Sequence, residues 1–253
     1  MSTAYVLIES FSSPKFSWET MNDPVMGGKS YSQFSIKDDV GIFDGEVVDV
    51  PFLKAPGFIT MRGNGDYPDV SYCNSLQLRL RASEQYSGYK ISFGNRHIHG
   101  NRHAYGYKAD FHAPVGDEMK TVTIPFRDFT ARWDEATGDP IVTCQENPDY
   151  CPDQETLKNM KTLSIWGEGV CGDVHLEVES ISASDCDYST LNTLTNGSSS
   201  VSPKKFSDVA SSLVTFAFIV LVLITIISLV KKKFEKEKDY ISIKGCTSGL
   251  TSV

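Results

Sequence analysis

The chain has no Cys-x-x-Cys pair, no Gly-x-Ser-x-Gly elbow, and no glycine-rich loop closing on Lys-Ser/Thr at P-loop spacing. Each absence removes a chemistry: a thiolate zinc site, an exposed nucleophilic serine, and a phosphate cradle at a helix start. Long amphipathic helices are also missing, as are internal repeats and any strand–helix alternation that would build a doubly wound sheet. The first sixteen residues, MSTAYVLIESFSSPKF, hold only a five-residue apolar run (Ala4 to Ile8) and no basic region. They read neither as a secretory signal nor as an Arg-rich transit peptide. Positive charge is scarce too, because residues 1–208 carry 18 Lys+Arg against 29 Asp+Glu. A field of that sign repels phosphate backbones and anionic lipid headgroups, which excludes nucleic acid as a partner.

What is abundant is alternation. In SLQLRLRA, Leu76, Leu78 and Leu80 take turns with Gln77, Arg79 and Arg81, and in DVHLEVESI, Val174, Leu176 and Val178 take turns with His175, Glu177 and Glu179. Tyr105, Tyr107, Ala109 and Phe111 share one side of their segment, as do Val122, Ile124 and Phe126 of theirs. Period-two patterns repeated over many short segments predict antiparallel strands around a shared core, hence an all-β two-sheet sandwich of jelly-roll type. One short helix is predicted within Cys151 to Leu163, with Pro152 and Asp153 in its first turn and Leu157 and Met160 on its inner side.

Composition divides the chain into four parts: a folded domain over 5–186, a Ser/Thr-rich linker over 187–208, an apolar run over 209–230 and a short basic tail over 231–253. The run VASSLVTFAFIVLVLITIISLV is 22 residues without a charge. As a helix it would be ~33 Å long, against a hydrocarbon core of ~30 Å, and it is expected to cross a bilayer. Lys231, Lys232 and Lys233 follow at once, so the tail is expected in the cytosol with the domain on the opposite side. That topology fits a span that itself directs translocation or a start upstream of residue 1; a tail anchor with a cytosolic domain remains open. Asn196 in Asn-Gly-Ser becomes a glycosylation acceptor if the domain is lumenal.

Of the cysteines before the run, Cys144 and Cys151 could close a small ring, and Cys171 with Cys186 could form a second bridge in an oxidising compartment. His97 and His99 point the same way in an extended segment, but Arg96 and Arg102 interleave with them and disfavour a metal. His97, His99, His103, Tyr105 and Tyr107 read instead as a rim able to stack a sugar face. The loop carboxylates Asp38, Asp39, Asp66, Asp69, Asp134, Glu135, Asp139, Glu146 and Asp149 read as solvated acids, so neither a catalytic pair nor a metal or other cofactor is expected.

The remaining feature is NDPVMGGKSYSQF (residues 22–34), where two adjacent glycines precede a strand. With the flanking segments FDGEV (43–47), PGFITMR (56–62), LQLRLRA (76–82), MKTVTIPFRDF (119–129) and GDVHLEVESI (172–181), it resembles the NADH:ubiquinone oxidoreductase complex I intermediate-associated protein 30 family. The shared signature is carried by Trp18, Asn22, Asp23, Val25, Met26, Gly27, Gly28 and Ser30, which are expected to build a corner of the fold. The resemblance implies a galactose-binding-like jelly roll, mitochondrial location, and a non-enzymatic assembly factor that holds protein intermediates of complex I. A membrane-tethered carbohydrate-binding module is the alternative that the His/Tyr rim suggests.

Overall fold

The computed structural model describes residues 4–23, 27–96 and 106–187. In chain order the strands begin with β1 (Tyr5–Ser10), β2 (Ser17–Asn22), β3 (Tyr31–Lys37) and β4 (Val40–Val47). A small hairpin of β5 (Asp49–Val50) and β6 (Ala55–Pro56) precedes β7 (Phe58–Asn64), β8 (Ser75–Ala82), β9 (Tyr89–Gly94) and β10 (Tyr107–Asp110). After β11 (Lys120–Pro125) come a second hairpin, β12 (Arg132–Trp133) with β13 (Pro140–Val142), then helix α1 (Gln154–Lys158), β14 (Thr162–Glu168) and β15 (Gly172–Ser184).

Two antiparallel sheets stack on one core. The six-stranded sheet runs β11-β8-β15-β4-β3 with β1 also paired to β15, and the five-stranded sheet runs β10-β9-β14-β7-β2. Leu76, Leu78 and Leu80 of β8, Phe43 of β4, and Leu176, Val178 and Ile181 of β15 are buried against Ile59 and Met61, Ile91 and Phe93, and Leu163 and Ile165 from the facing sheet. Alternation thus decides which side of each strand is dry. The outer side of the six-stranded sheet carries ion pairs instead: Arg81 bonds Glu177 at 2.7 Å, Arg79 bonds Glu179 at 2.9 Å, and His175 sits between Asp44 and Glu177.

Local chemistry sets the turns. Asp38 and Asp39 both hold positive φ, 51° and 66°, and form the two-residue turn that fixes the Lys37–Val40 register of β3 and β4. In the corner between β1 and β2 the carboxylate of fully buried Glu9 accepts the backbone N–H groups of Ser10, Lys15 and Phe16 and the indole N–H of Trp18. That knot joins the two sheets at their first crossing. The predicted helix is shorter than its sequence frame: Asp153 is its N-cap, accepting from the Thr156 N–H at 2.6 Å, and Leu157 and Met160 face the core. Among the described residues no helix is long and apolar enough to cross a membrane. The expected span at 209–230, the tail at 231–253, Asn196 and all of the linker but its first residue lie outside them.

Candidate functional site

Of the signature residues, Asn22, Asp23, Gly27, Gly28 and Ser30 share one corner, whereas Trp18, expected there too, belongs to the Glu9 knot at the other end of β2. Gly27 has φ +77°, with nothing near the position a Cβ would take, so its glycine serves backbone conformation. Gly28 serves space instead, since a Cβ there would stand 2.2 Å from Asp23 Oδ2 and 2.6 Å from the Asp23 carbonyl oxygen. Gly57 closes the other side, its Cβ position lying 2.1 Å from the same Oδ2 and 2.6 Å from Ser30 Oγ. The Asp23 carboxyl is therefore seated between two bare backbones. Burial there pushes its pKa up, with Ser30 pulling it part of the way back. Further ties hold the corner to both sheets: Asn22 Oδ1 accepts the Ser32 hydroxyl at 2.6 Å, Ser30 Oγ accepts the Val48 N–H at 3.1 Å, and the Asp23 N–H bonds Phe58 O at 3.0 Å. Val25 and Met26 lie outside the described residues.

Beside this corner the five-stranded sheet carries a second, polar face. Register places Thr60 opposite Trp166, Arg62 opposite Ser164, and Ser92 on the other flank of Ser164, all turned away from the core. This face is buried as well. Trp166 donates its indole N–H to Ser92 Oγ at 2.8 Å and packs with Met21 and Phe58, while Arg62 reaches Glu19 at 3.0 Å. The hydroxyls of Thr60 and Ser164 have no hydrogen-bond partner among the described residues.

The β12–β13 hairpin latches onto one margin of the face. Lys108, which is buried, places its ammonium 2.6 Å from Glu168 Oε2 and between the rings of Trp133 and Trp166, 3.8 and 3.9 Å from their centroids. Desolvation pushes the pKa of Lys108 down, and Glu168 opposes that shift. Lys90 bonds Asp110 at 2.6 Å and Asp139 of the hairpin at 2.9 Å. Backbone bonds in both directions between Lys108 and Thr130 complete the latch.

A cavity of about 490 Å³ opens where β9, β10, the hairpin and α1 meet, lined by Arg96, Tyr107, Arg132, Trp133, Glu135 and Asp153 among others. Tyr107 donates its hydroxyl to Asp153 Oδ2 at 2.6 Å, and Trp133 donates its indole N–H to Gly106 O at 3.1 Å. Both rings are therefore fixed through their polar atoms. Of the expected rim, Tyr107 lies in this cavity, whereas His97, His99, His103 and Tyr105 fall outside the described residues. Trp133 was not singled out from the sequence, although a tryptophan in an acidic, turn-rich segment is the signal that marks it.

The cysteine pairing differs from expectation in one bridge. Cys144 joins Cys151, but Cys186 joins Cys73, not Cys171. The reason is register: β8 and β15 pair Ser75 with Ser184, which brings the residues just beyond their ends together. Several of the loop acids are engaged locally: Asp134 caps the Ala136 and Thr137 N–H groups, Asp69 the Ser71 N–H, and Glu146 the Thr143 N–H, while Asp66 pairs with Lys161. Among the described residues no group of three or more His, Cys, Asp or Glu side chains could hold a metal ion.

A family model, complex I intermediate-associated protein 30 (CIA30), matches residues 9–141. The chain belongs to this family. In this CIA30 member the match takes in the Glu9 knot, the Asp23 corner and the start of the latch, and it ends within β13. The strands β14 and β15, central to their two sheets, lie beyond it. A sequence search among curated proteins finds no match.

Among solved structures, the chain is similar to a family 11 carbohydrate-binding module from Clostridium thermocellum in complex with a β-1,3-1,4-mixed-linked tetrasaccharide. Identity is 13% over 72% of this chain and 96% of that one, with a TM-score of 0.49. The family 11 module of the cellulosomal cellulase Lic26A-Cel5E of the same organism gives 12% identity, 72% and 95% coverage and a TM-score of 0.47. An agarase gives 10% identity over 71% of this chain and 26% of that one, with a TM-score of 0.42. Nothing about ligand follows from likeness at this level.

Proposed function

We propose that this CIA30-family chain is a non-catalytic, membrane-anchored binding scaffold that holds protein partners during assembly of respiratory complex I. Membership in the family carries the reading, since the matched stretch contains the corner and most of the sheets. An exposed apolar tip supports a protein contact: Phe52 and Leu53, at the turn of the β5–β6 hairpin, are 73% and 47% exposed. Two such side chains beside each other at a hairpin tip bury well only against another molecule. In this reading residues 209–230 anchor the domain, the basic tail faces the cytosol, and the Cys73–Cys186 and Cys144–Cys151 bridges suit an oxidising compartment on the other side.

The test is affinity purification of the full-length chain from detergent at native expression. Complex I subunits or intermediates are expected with the wild type and should fall away with Phe52→Asp/Leu53→Asp. Recovery of none of them from the wild type overturns the reading.

A second reading, a membrane-tethered carbohydrate-binding module, rests on a separate observation. The cavity at Tyr107 and Trp133 presents two aromatic rings locked in place with charged groups at its margin, the composition of a site for a polyhydroxylated ring.

A further inference from the structure

We propose that the Tyr107–Trp133 cavity takes a single neutral hexose unit of a glycan, stacked on the fixed rings, with its hydroxyls shared among Arg96, Arg132 and Glu135. This inference rests on the second reading above and specifies its site and ligand class. Volume is the first constraint, because about 490 Å³ falls within the ~300–1,000 Å³ typical of small-molecule sites. The walls come next. Lys108 lies against one face of the Trp133 indole, and Lys108 does not line the cavity, so the surface the indole lends to the cavity is free of that ammonium. Gly106 lies at the base beside Tyr107, and a Cβ there would come within 2.1 Å of Phe93 O. Close strand approach thus requires glycine there, and the two rings with Ala131 supply apolar lining among the described residues.

Charge then separates a neutral ligand from an acidic one. Arg96 and Arg132 are exposed and enter no ion pair among the described residues, and Glu135 is exposed beside them. Asp153 is already engaged by the Tyr107 hydroxyl and the Thr156 N–H. Two guanidinium groups and two carboxylates leave the lining contributed by the described residues without net charge, inside a domain region whose carboxylates outnumber its cations by 11. A uronate or sulfate ester would meet repulsion at long range and no surplus of cations up close. A neutral ring instead finds guanidinium and Asn95 amide donors, the Glu135 carboxylate as an acceptor, and aromatic faces for its C–H surface.

The experiment titrates the full-length chain, held in a detergent without a sugar headgroup, with neutral gluco-, galacto-, manno- and xylo-oligosaccharides and with uronate and sulfated counterparts. Heat of binding and tryptophan fluorescence are the readouts. Because Trp133 also covers Lys108, the exposed-residue variants Arg132→Ala and Glu135→Ala carry the test. The expected result is binding of a neutral oligosaccharide that each variant weakens at least tenfold at unchanged melting temperature. Binding that survives both variants overturns this site and leaves the carbohydrate reading standing elsewhere on the molecule. Retention of acidic glycans alone overturns the neutral assignment, and retention of none removes both the site and the reading.

Discussion

Alanine at Gly57 should destabilise the protein, and removing the Asp23 side chain should undo most of that loss. The three atoms nearest the added methyl all belong to side chains, Asp23 Oδ2 at 2.1 Å, Ser30 Oγ at 2.6 Å and Asp23 Cγ at 2.7 Å. Overpacking of this kind costs about 1–3 kcal/mol, which in a domain of this size lowers the melting temperature by about 2–12 °C. Deleting the carboxyl in Asp23→Ala removes two of those three atoms. A double-mutant cycle of Gly57→Ala with Asp23→Ala should therefore show a coupling of about 1–2 kcal/mol in the relieving direction. Gly28→Ala serves as the contrast, because the backbone oxygen of Asp23, 2.6 Å away, remains after the side chain has gone. Rescue there should be smaller. Gly27→Ala meets no atom and carries only the positive-φ penalty of about 1 kcal/mol. Urea and thermal unfolding of the full-length chain read all of these values. Strict additivity of Gly57→Ala and Asp23→Ala, or a melting temperature unmoved by Gly57→Ala, would refute the account of the corner.

On the outer face of the six-stranded sheet, partial burial pushes the His175 pKa down, but bonds to Asp44 and Glu177 outweigh it and hold the imidazolium above its ordinary range. Stability from this group is fully present below the unfolded pKa of about 6.5 and fades as pH rises through the folded one. His175→Gln should accordingly cost more at pH 5.5 than at pH 8.5 in thermal unfolding, and an equal loss at both would rule the charge out. Lys108→Met strands the Glu168 carboxylate in a dry site and should cost about 3–5 kcal/mol. Lys108→Met/Glu168→Leu, judged by denaturant midpoints, should recover most of it, and no recovery would count against a paired-charge origin. Peptide mapping with trypsin and a Glu-specific protease, without reductant, should yield one peptide pair joined through Cys73 and Cys186 and another through Cys144 and Cys151. A peptide linking Cys171 to Cys186 would contradict the register of β8 and β15. Reduction should destabilise chiefly through the Cys73–Cys186 bridge, whose separation of 113 residues is worth about 4–5 kcal/mol on chain-entropy grounds.

The sandwich was legible because its dry face obeys period two. Leu76, Leu78 and Leu80, or Val174, Leu176 and Val178, need no tertiary knowledge to be assigned to one side, and they lie in the core. Proximity in sequence likewise pointed to Cys144–Cys151. The Cys73–Cys186 bridge was not legible, since it depends on which strand ends meet across a sheet. The corner was legible as a corner but not in its cause: Gly28 is required by the close approach of Asp23, and the positive φ belongs to Gly27.

The polar face shows why alternation alone stops short of a site. In TLSIWGE (162–168), Leu163, Ile165 and Gly167 turn inward while Thr162, Ser164, Trp166 and Glu168 turn outward, yet all seven residues are buried. Period two separates two faces and then assigns the polar one to water by default. Here that default fails, because a distant hairpin brings Trp133 and Asp139 over Lys108 and Lys90 and closes part of the polar face. The contacts that do so join residues 25 to 49 positions apart, beyond the reach of any local pattern. A lysine that would read as solvated on its own strand thus becomes the buried peg of a latch. The indole that covers this peg also walls the cavity at Tyr107, so the latch and the proposed ligand site share one side chain. Loosening the latch through Asp139→Ala should therefore weaken glycan binding without touching the cavity lining. Unchanged affinity in that variant would separate the two features and leave the latch a purely structural element.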